Sequence, residues 1–208
     1  MIFGWYALLL PALSLWIALI ETDAVLIGQW MISRPLLVGP IIGAACGDFT
    51  MGLGVGVLTE LFCLEGLPVG SVVPLNGTVA AGSAVLLMGG PDAVPVAAAF
   101  PAGLGLGLGH TLLECRIRGW RARLVMDAAE SLEEEGEVDW LLLLGKSVGV
   151  HVAGTAVLIY AGAALLGPGL AWLWDGVPGF CRQGLETGFR IAPWIGLAAL
   201  MQALFRKN

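Results

Sequence analysis

Charge is scarce in this chain of 208 residues: 12% are Asp, Glu, Lys or Arg, about half the ~25% usual in soluble domains. Basic residues are scarcer still, ten Lys and Arg against sixteen acids for a net charge of −6. They form no stripe, so a nucleic-acid partner has no electrostatic footprint. The four cysteines, Cys46, Cys63, Cys115 and Cys181, lack any C-x-x-C spacing. That signals neither a zinc site nor a disulfide framework, and such cysteines read as small buried hydrophobes. The sequence also lacks a recognisable nucleophile–base–acid set or metal cluster. No catalytic residue, metal or cofactor is expected of it.

What is plentiful is apolar. Hydrophobic residues make up 58% of the chain and the mean hydropathy is +0.88. They fall in long blocks at 2–20, 93–113, 140–166 and 191–205. A helix crossing a bilayer needs about 20 predominantly apolar residues. The expected fold is therefore all-α, a polytopic membrane protein forming one domain over 1–208. The first block has no basic leader and no convincing small-x-small cleavage site, and reads as a retained helix.

Arginine sets the orientation. Only Arg34 among the ten basic residues precedes position 116; Arg116, Arg118, Arg121 and Arg123 then arrive together, followed by an acidic run from Asp127 to Asp139. Lys and Arg favour cytoplasmic loops, whereas Asp and Glu contribute little. The polar segment 114–139 is therefore expected in the cytoplasm, as a helix stopped by Gly136. Block 140–166 leaves the cytoplasm, 167–190 connects on the outer face, and 191–205 returns to a basic Arg206-Lys207 end. Counted backwards, 93–113 runs inward and 89–92 is an outer turn.

Residues 21–90 are apolar yet repeatedly interrupted, by Glu21, Asp23, Arg34-Pro35, Pro40, Asp48, Glu60, Glu65, Pro68, Pro74 and Asn76. Short, Gly/Pro-broken hydrophobic segments mark discontinuous helices and re-entrant hairpins, and point to a transporter's binding site. Such backbone survives at membrane depth only when buried in protein or lining a wet cavity. Many of the 31 glycines stand four apart: Gly39/Gly43/Gly47, Gly52/Gly56, Gly103/Gly107 and Gly105/Gly109. That spacing permits close helix packing. The run from Gly103 to Gly109 is not a phosphate-cradling loop, because no Lys-Ser/Thr follows.

Ionisable groups at membrane depth cost ~2.5 kcal/mol or more and need a reason to be there. Glu60 has two readings: an acceptor for hydroxyls of a polar solute, or a structural carboxylate paired to Arg34. Asn76 likewise either bonds a sugar hydroxyl through its amide or caps a helix. Asp48 reads as the N-cap of a helix starting near Met51, and Arg34 as an internal ion pair or a snorkelling group. His110 and His151 read as structural; Glu114 stands four residues after His110, a faint hint of a pair.

The ordered set from Arg34-Pro-Leu-Leu-Val-Gly-Pro to Gly47-Asp48, then Leu58-Thr-Glu60-Leu, then Val69-Gly-Ser-Val-Val-Pro-Leu-Asn76 resembles the membrane subunit IIC of the mannose/fructose/sorbose family of the bacterial phosphotransferase system. The resemblance implies a sugar channel formed with a second membrane subunit, IID, in trimeric complexes of the cytoplasmic (inner) membrane. It implies an elevator-like core bearing re-entrant hairpins. Phosphorylation is implied to be done by soluble IIB, charged by IIA, so that IIC is itself no enzyme. Glu60 and Asn76 carry over as sugar-path positions, Arg34 and Asp48 as hairpin framework. The polar segment 114–139 becomes a candidate surface for the soluble partners. Two departures stand out: the family's Pro-Pro-Asp is Pro74-Leu75-Asn76 here, and the chain ends at Asn208 where typical members continue. A short member is expected either to carry another sugar or to serve as a non-transporting scaffold or sensor.

Overall fold

The computed structural model describes residues 2–24, 26–63 and 73–205, and these are helical without a strand. Glu65, Pro68, the 69–72 part of the motif and the basic C-terminus at 206–208 lie outside the described residues. The chain starts with a single turn, α1 (Ile2–Gly4), a π-helical turn (Trp5–Leu9) and α2 (Leu10–Glu21). Three short helices follow: α3 (Pro35–Ala45), α4 (Phe49–Cys63) and α5 (Gly77–Gly89). Then come α6 (Val96–Glu135), α7 (Trp140–Gly176), α8 (Gly179–Phe189) and α9 (Ala192–Phe205).

Three stretches are long and apolar enough to cross a membrane: Trp5–Ala24, Val96–Glu133 and Trp140–Gly176. Large apolar side chains point outward along α7, with Leu141, Leu165 and Trp172 each more than 70% exposed. An aqueous surface would not tolerate that density of exposed hydrophobes; lipid does. The chain is a multi-pass membrane protein.

Local signals explain most helix ends. Pro35 takes the first position of α3, where its missing N–H costs nothing. The Asp48 carboxylate accepts from Met51 N at 2.9 Å, the cap expected for α4. Asn76 caps α5 through Val79 N at 3.0 Å, and Asp139 caps α7 through Leu142 N at 3.0 Å. Gly136, at φ 73°, ends α6 in the left-handed conformation as expected.

The spans are longer than the hydrophobic blocks. α6 is one helix of 40 residues, about 60 Å at 1.5 Å per residue, so the polar segment continues the span rather than folding separately. Helix α7 likewise runs through Pro168 to Gly176, and the connection expected at 167–190 reduces to the turn at 177–178 followed by α8. The break signal at Pro168 is overridden because neighbouring groups can re-satisfy a freed carbonyl in a membrane helix.

By contrast α3, α4 and α5 have only 11, 15 and 13 residues, about 16–22 Å, too short for a ~30 Å hydrocarbon core. α3 and α4 form a hairpin whose tip is Cys46-Gly47-Asp48 and whose open ends lie beside the start of α5. Glycine makes its tight pairing possible: a Cβ on Gly43 would stand 2.7 Å from Gly52 Cα and 2.6 Å from the Asp48 carbonyl oxygen. Helix α5 is buried all round from Thr78 to Leu87, the mark of a central helix. One face of α6 packs on it closely, a Cβ on Gly103 falling 2.5 Å from the Ala80 carbonyl oxygen. The second expected face, Gly105 and Gly109, has no such close neighbour.

Candidate functional site

The half-length helices α3, α4 and α5 meet the end of the first span around one cavity. α2 and α4 end there, α3 and α5 begin there, and the four ends surround its volume of about 440 Å³. The two helices that begin at the cavity present their N-terminal N–H groups to it, a partial positive charge favouring oxygen acceptors.

Glu60, at the end of α4, bonds across to the start of α3. Its Oε1 lies 3.2 Å from Arg34 Nη1, and its Oε2 accepts from Leu36 N at 3.3 Å. The carboxylate thus closes the hairpin and satisfies one orphan N–H of α3. The pair is not sealed: the Arg34 and Glu60 side chains keep 43% and 21% of their exposure, and both line the cavity. The two readings of Glu60 are compatible in one geometry.

Asn76 opens α5 and lines the same cavity. Because its Oδ1 is fixed by the cap on Val79 N, its amide nitrogen points away from the helix. That nitrogen lies 2.8 Å from Glu21 Oε1 and 3.1 Å from His110 Nδ1. An amide nitrogen only donates, so His110 Nδ1 is the acceptor and carries no hydrogen. Its Nε2–H then donates to Thr155 Oγ1 at 2.9 Å.

A second polar layer adjoins the first. His151 Nε2 bonds Glu21 Oε2, and His151 Nδ1 lies 3.1 Å from Glu114 Oε2, off the line a hydrogen bond needs. Facing a carboxylate, the His151 Nε2–H is the donor of the bond to Glu21. Glu114 in turn holds Arg118 Nε at 2.9 Å and Arg121 Nη1 at 3.5 Å. Glu21, His110, Glu114 and His151 are all buried. Asp23 organises the loop beside them, its carboxylate accepting from Trp30 N at 2.7 Å and Ile32 N at 2.8 Å. That loop holds Gln29 at φ 57° and Met31 at φ 66°, left-handed positions that cost energy unless the surroundings fix them.

Of the four residues singled out in the sequence, the structure brings Arg34, Glu60 and Asn76 to one cavity. Asp48 lies at the opposite end of the hairpin, exposed and acting as a cap. Sequence reasoning gave Glu21 no role, read His151 as structural and took the His110/Glu114 spacing as a faint hint only, counting Glu114 with the polar segment although it is buried. The unused part of the signal is His151/Thr155, a second i,i+4 polar pair beside His110/Glu114, on the next span. The two pairs meet crosswise: His110 hydrogen-bonds Thr155, and Glu114 Oε2 stands 3.1 Å from His151 Nδ1.

Residues 5–208 match the family model for the sorbose-specific IIC component of the phosphotransferase system. No curated protein matches the sequence. Solved structures that share the fold include the following two. One, described only as a membrane protein, superposes with a TM-score of 0.77 at 17% identity, covering 97% of this chain and 81% of its own. The other is a cryo-EM structure of the mannose transporter ManYZ in complex with microcin E492. Its TM-score is 0.61 at 17% identity, over 96% of this chain and 80% of that one. At such identity these two likenesses speak for the fold alone.

Proposed function

The chain belongs to the sorbose-specific IIC family of the phosphotransferase system, and from that premise we propose that it is a sugar-translocating subunit carrying a hexose-type sugar through the cavity at the half-helix ends. It would work with a IID membrane partner in the bacterial cytoplasmic membrane, in a trimeric arrangement of such pairs. The sugar would be phosphorylated by IIB and IIA, this chain supplying no catalytic group. Glu60 and Asn76 are the proposed sugar-binding positions, with Arg34 and Asp48 holding the hairpin.

One observation carries the reading: an acid and an amide at discontinuous helix ends line a cavity of about 440 Å³. That volume lies within the ~300–1,000 Å³ of small-molecule sites, and half-helix ends near the midplane are where transporters bind solutes. A second reading, a non-transporting scaffold or sensor, draws on Asn76: both its N–H groups are taken by Glu21 and His110. A sugar hydroxyl would have to displace one of them.

Glu60→Ala decides between the readings in cells bearing the whole transport system. Labelled hexose uptake is expected to fall to the level of a strain lacking the chain, with membrane abundance unchanged. Uptake at the wild-type rate by an inserted Glu60→Ala protein contradicts the site. A wild-type chain that binds a IID partner yet accumulates no sugar supports the scaffold.

A further inference from the structure

We infer that Glu21, His110 and His151 form a binding site for a divalent transition metal of Zn²⁺ type, at the inner wall of the cavity. One donor atom from each residue lies within 4.8 Å of the others. All three residues are buried, at 5%, 1% and 2% exposure. The two imidazole rings stand 5.8 Å apart and nearly perpendicular, at 88°. A tetrahedral ion with bonds of about 2.0–2.1 Å holds its donors roughly 3.4 Å apart. The cluster reaches that spacing if Glu21 moves off His151 and the rings close in slightly. Two nitrogens and one carboxylate oxygen suit Zn²⁺, Co²⁺ or Ni²⁺ rather than Ca²⁺ or Mg²⁺.

The outer contacts point the same way. Metal-binding imidazoles characteristically turn their second nitrogen to a carboxylate, carbonyl or hydroxyl that fixes the ring. Here His151 Nδ1 faces Glu114 Oε2 at 3.1 Å, and His110 Nε2 meets Thr155 Oγ1 at 2.9 Å. Each ring thus has a polar group behind it, and His151 turns its near nitrogen to Glu21, while His110 Nδ1 accepts from Asn76, whose amide must give way for an ion to reach that nitrogen. Asn76 holds the other Glu21 oxygen at 2.8 Å. Three protein donors leave a fourth position, which faces the cavity that all three line and would be filled by water or a solute oxygen. Binding requires that the hydrogen on His151 Nε2 leave, as ligand hydrogens do when a metal enters. The sequence conceals the site because Glu21 and His151 are 130 residues apart, with no H-x-x-x-H or C-x-x-C spacing to announce it.

The test uses the full chain purified in detergent, stripped with EDTA and titrated with Co²⁺ as an optical probe. A single equivalent of Co²⁺ is expected to give the visible absorption of a four- or five-coordinate ion, and Zn²⁺ to bleach it. Glu21→Gln and His110→Gln should abolish the bands. Thr155→Val keeps all three donors and removes only the hydroxyl behind His110; it should weaken Co²⁺ binding by about 10–100-fold, the range outer partners carry. Asp48→Asn, at the far end of the hairpin, should leave it unchanged. Wild-type protein that gives no bands would overturn the site and leave the cluster a self-contained ionic network. Bands surviving at unchanged affinity in Glu21→Gln would overturn it equally.

Discussion

Asn76 does three things with one side chain: it caps α5, holds Glu21 and presents an acceptor's partner to His110. The amide is what makes this possible, since a carboxylate can cap but cannot donate. Asn76→Asp is therefore expected to preserve the cap while orphaning Glu21 Oε1 and His110 Nδ1 and setting a second negative charge beside Glu21. Leaving buried partners unsatisfied costs about 1–3 kcal/mol each, so thermal unfolding in detergent should start at a distinctly lower temperature. An Asn76→Asp protein as stable as wild type would contradict the hydrogen-bond assignment. The sequence showed that position 76 mattered and offered capping or sugar binding as its role. It could not show Glu21, which is 55 residues away and bonded directly. Pairing across such a distance leaves no local pattern.

Among the elements, the α3–α4 hairpin fixes the cavity's shape, because it carries Arg34 and Glu60 at its open ends. Its geometry rests on backbone approach at Gly43 and Gly52. Gly43→Ala places a methyl against backbone on both sides, and the helices must separate to admit it. Reduced protease resistance and a lowered unfolding temperature are expected. Gly105→Ala, where nothing lies within 4 Å, should stay within about ±0.5 kcal/mol of wild type. Equal behaviour of the two variants would contradict the packing. Broken helices were legible between 21 and 90 because prolines and acids interrupt the apolar pattern. The continuity of α6 was not, since the change from apolar to charged residues at 114 resembles a boundary although the helix runs on unbroken to Glu135. Nor does four-residue glycine spacing alone tell which face meets a neighbour: Gly103 does and Gly105 does not.

For the whole molecule, membrane character follows from composition alone, and the family follows from an ordered motif set that the match over residues 5–208 supports. Orientation rests on arginine placement. Single cysteines at 138 and at 91, in a chain whose four native cysteines are replaced, should be labelled by an impermeant thiol reagent from opposite sides. Position 138 should react only in inside-out vesicles and 91 only in intact spheroplasts. The reverse pattern would invert the account of which end of the cavity meets the soluble subunits.

Cys63 ends α4, lines the cavity and keeps a half-buried thiol. With Cys46, Cys115 and Cys181 replaced, the rate at which a membrane-impermeant thiol reagent modifies Cys63 in the assembled, transporting complex tests directly whether this cavity is the sugar path. Modification that the transported sugar slows is the predicted result. A thiol untouched from either side throughout turnover, or one modified at the same rate with and without sugar, would contradict it.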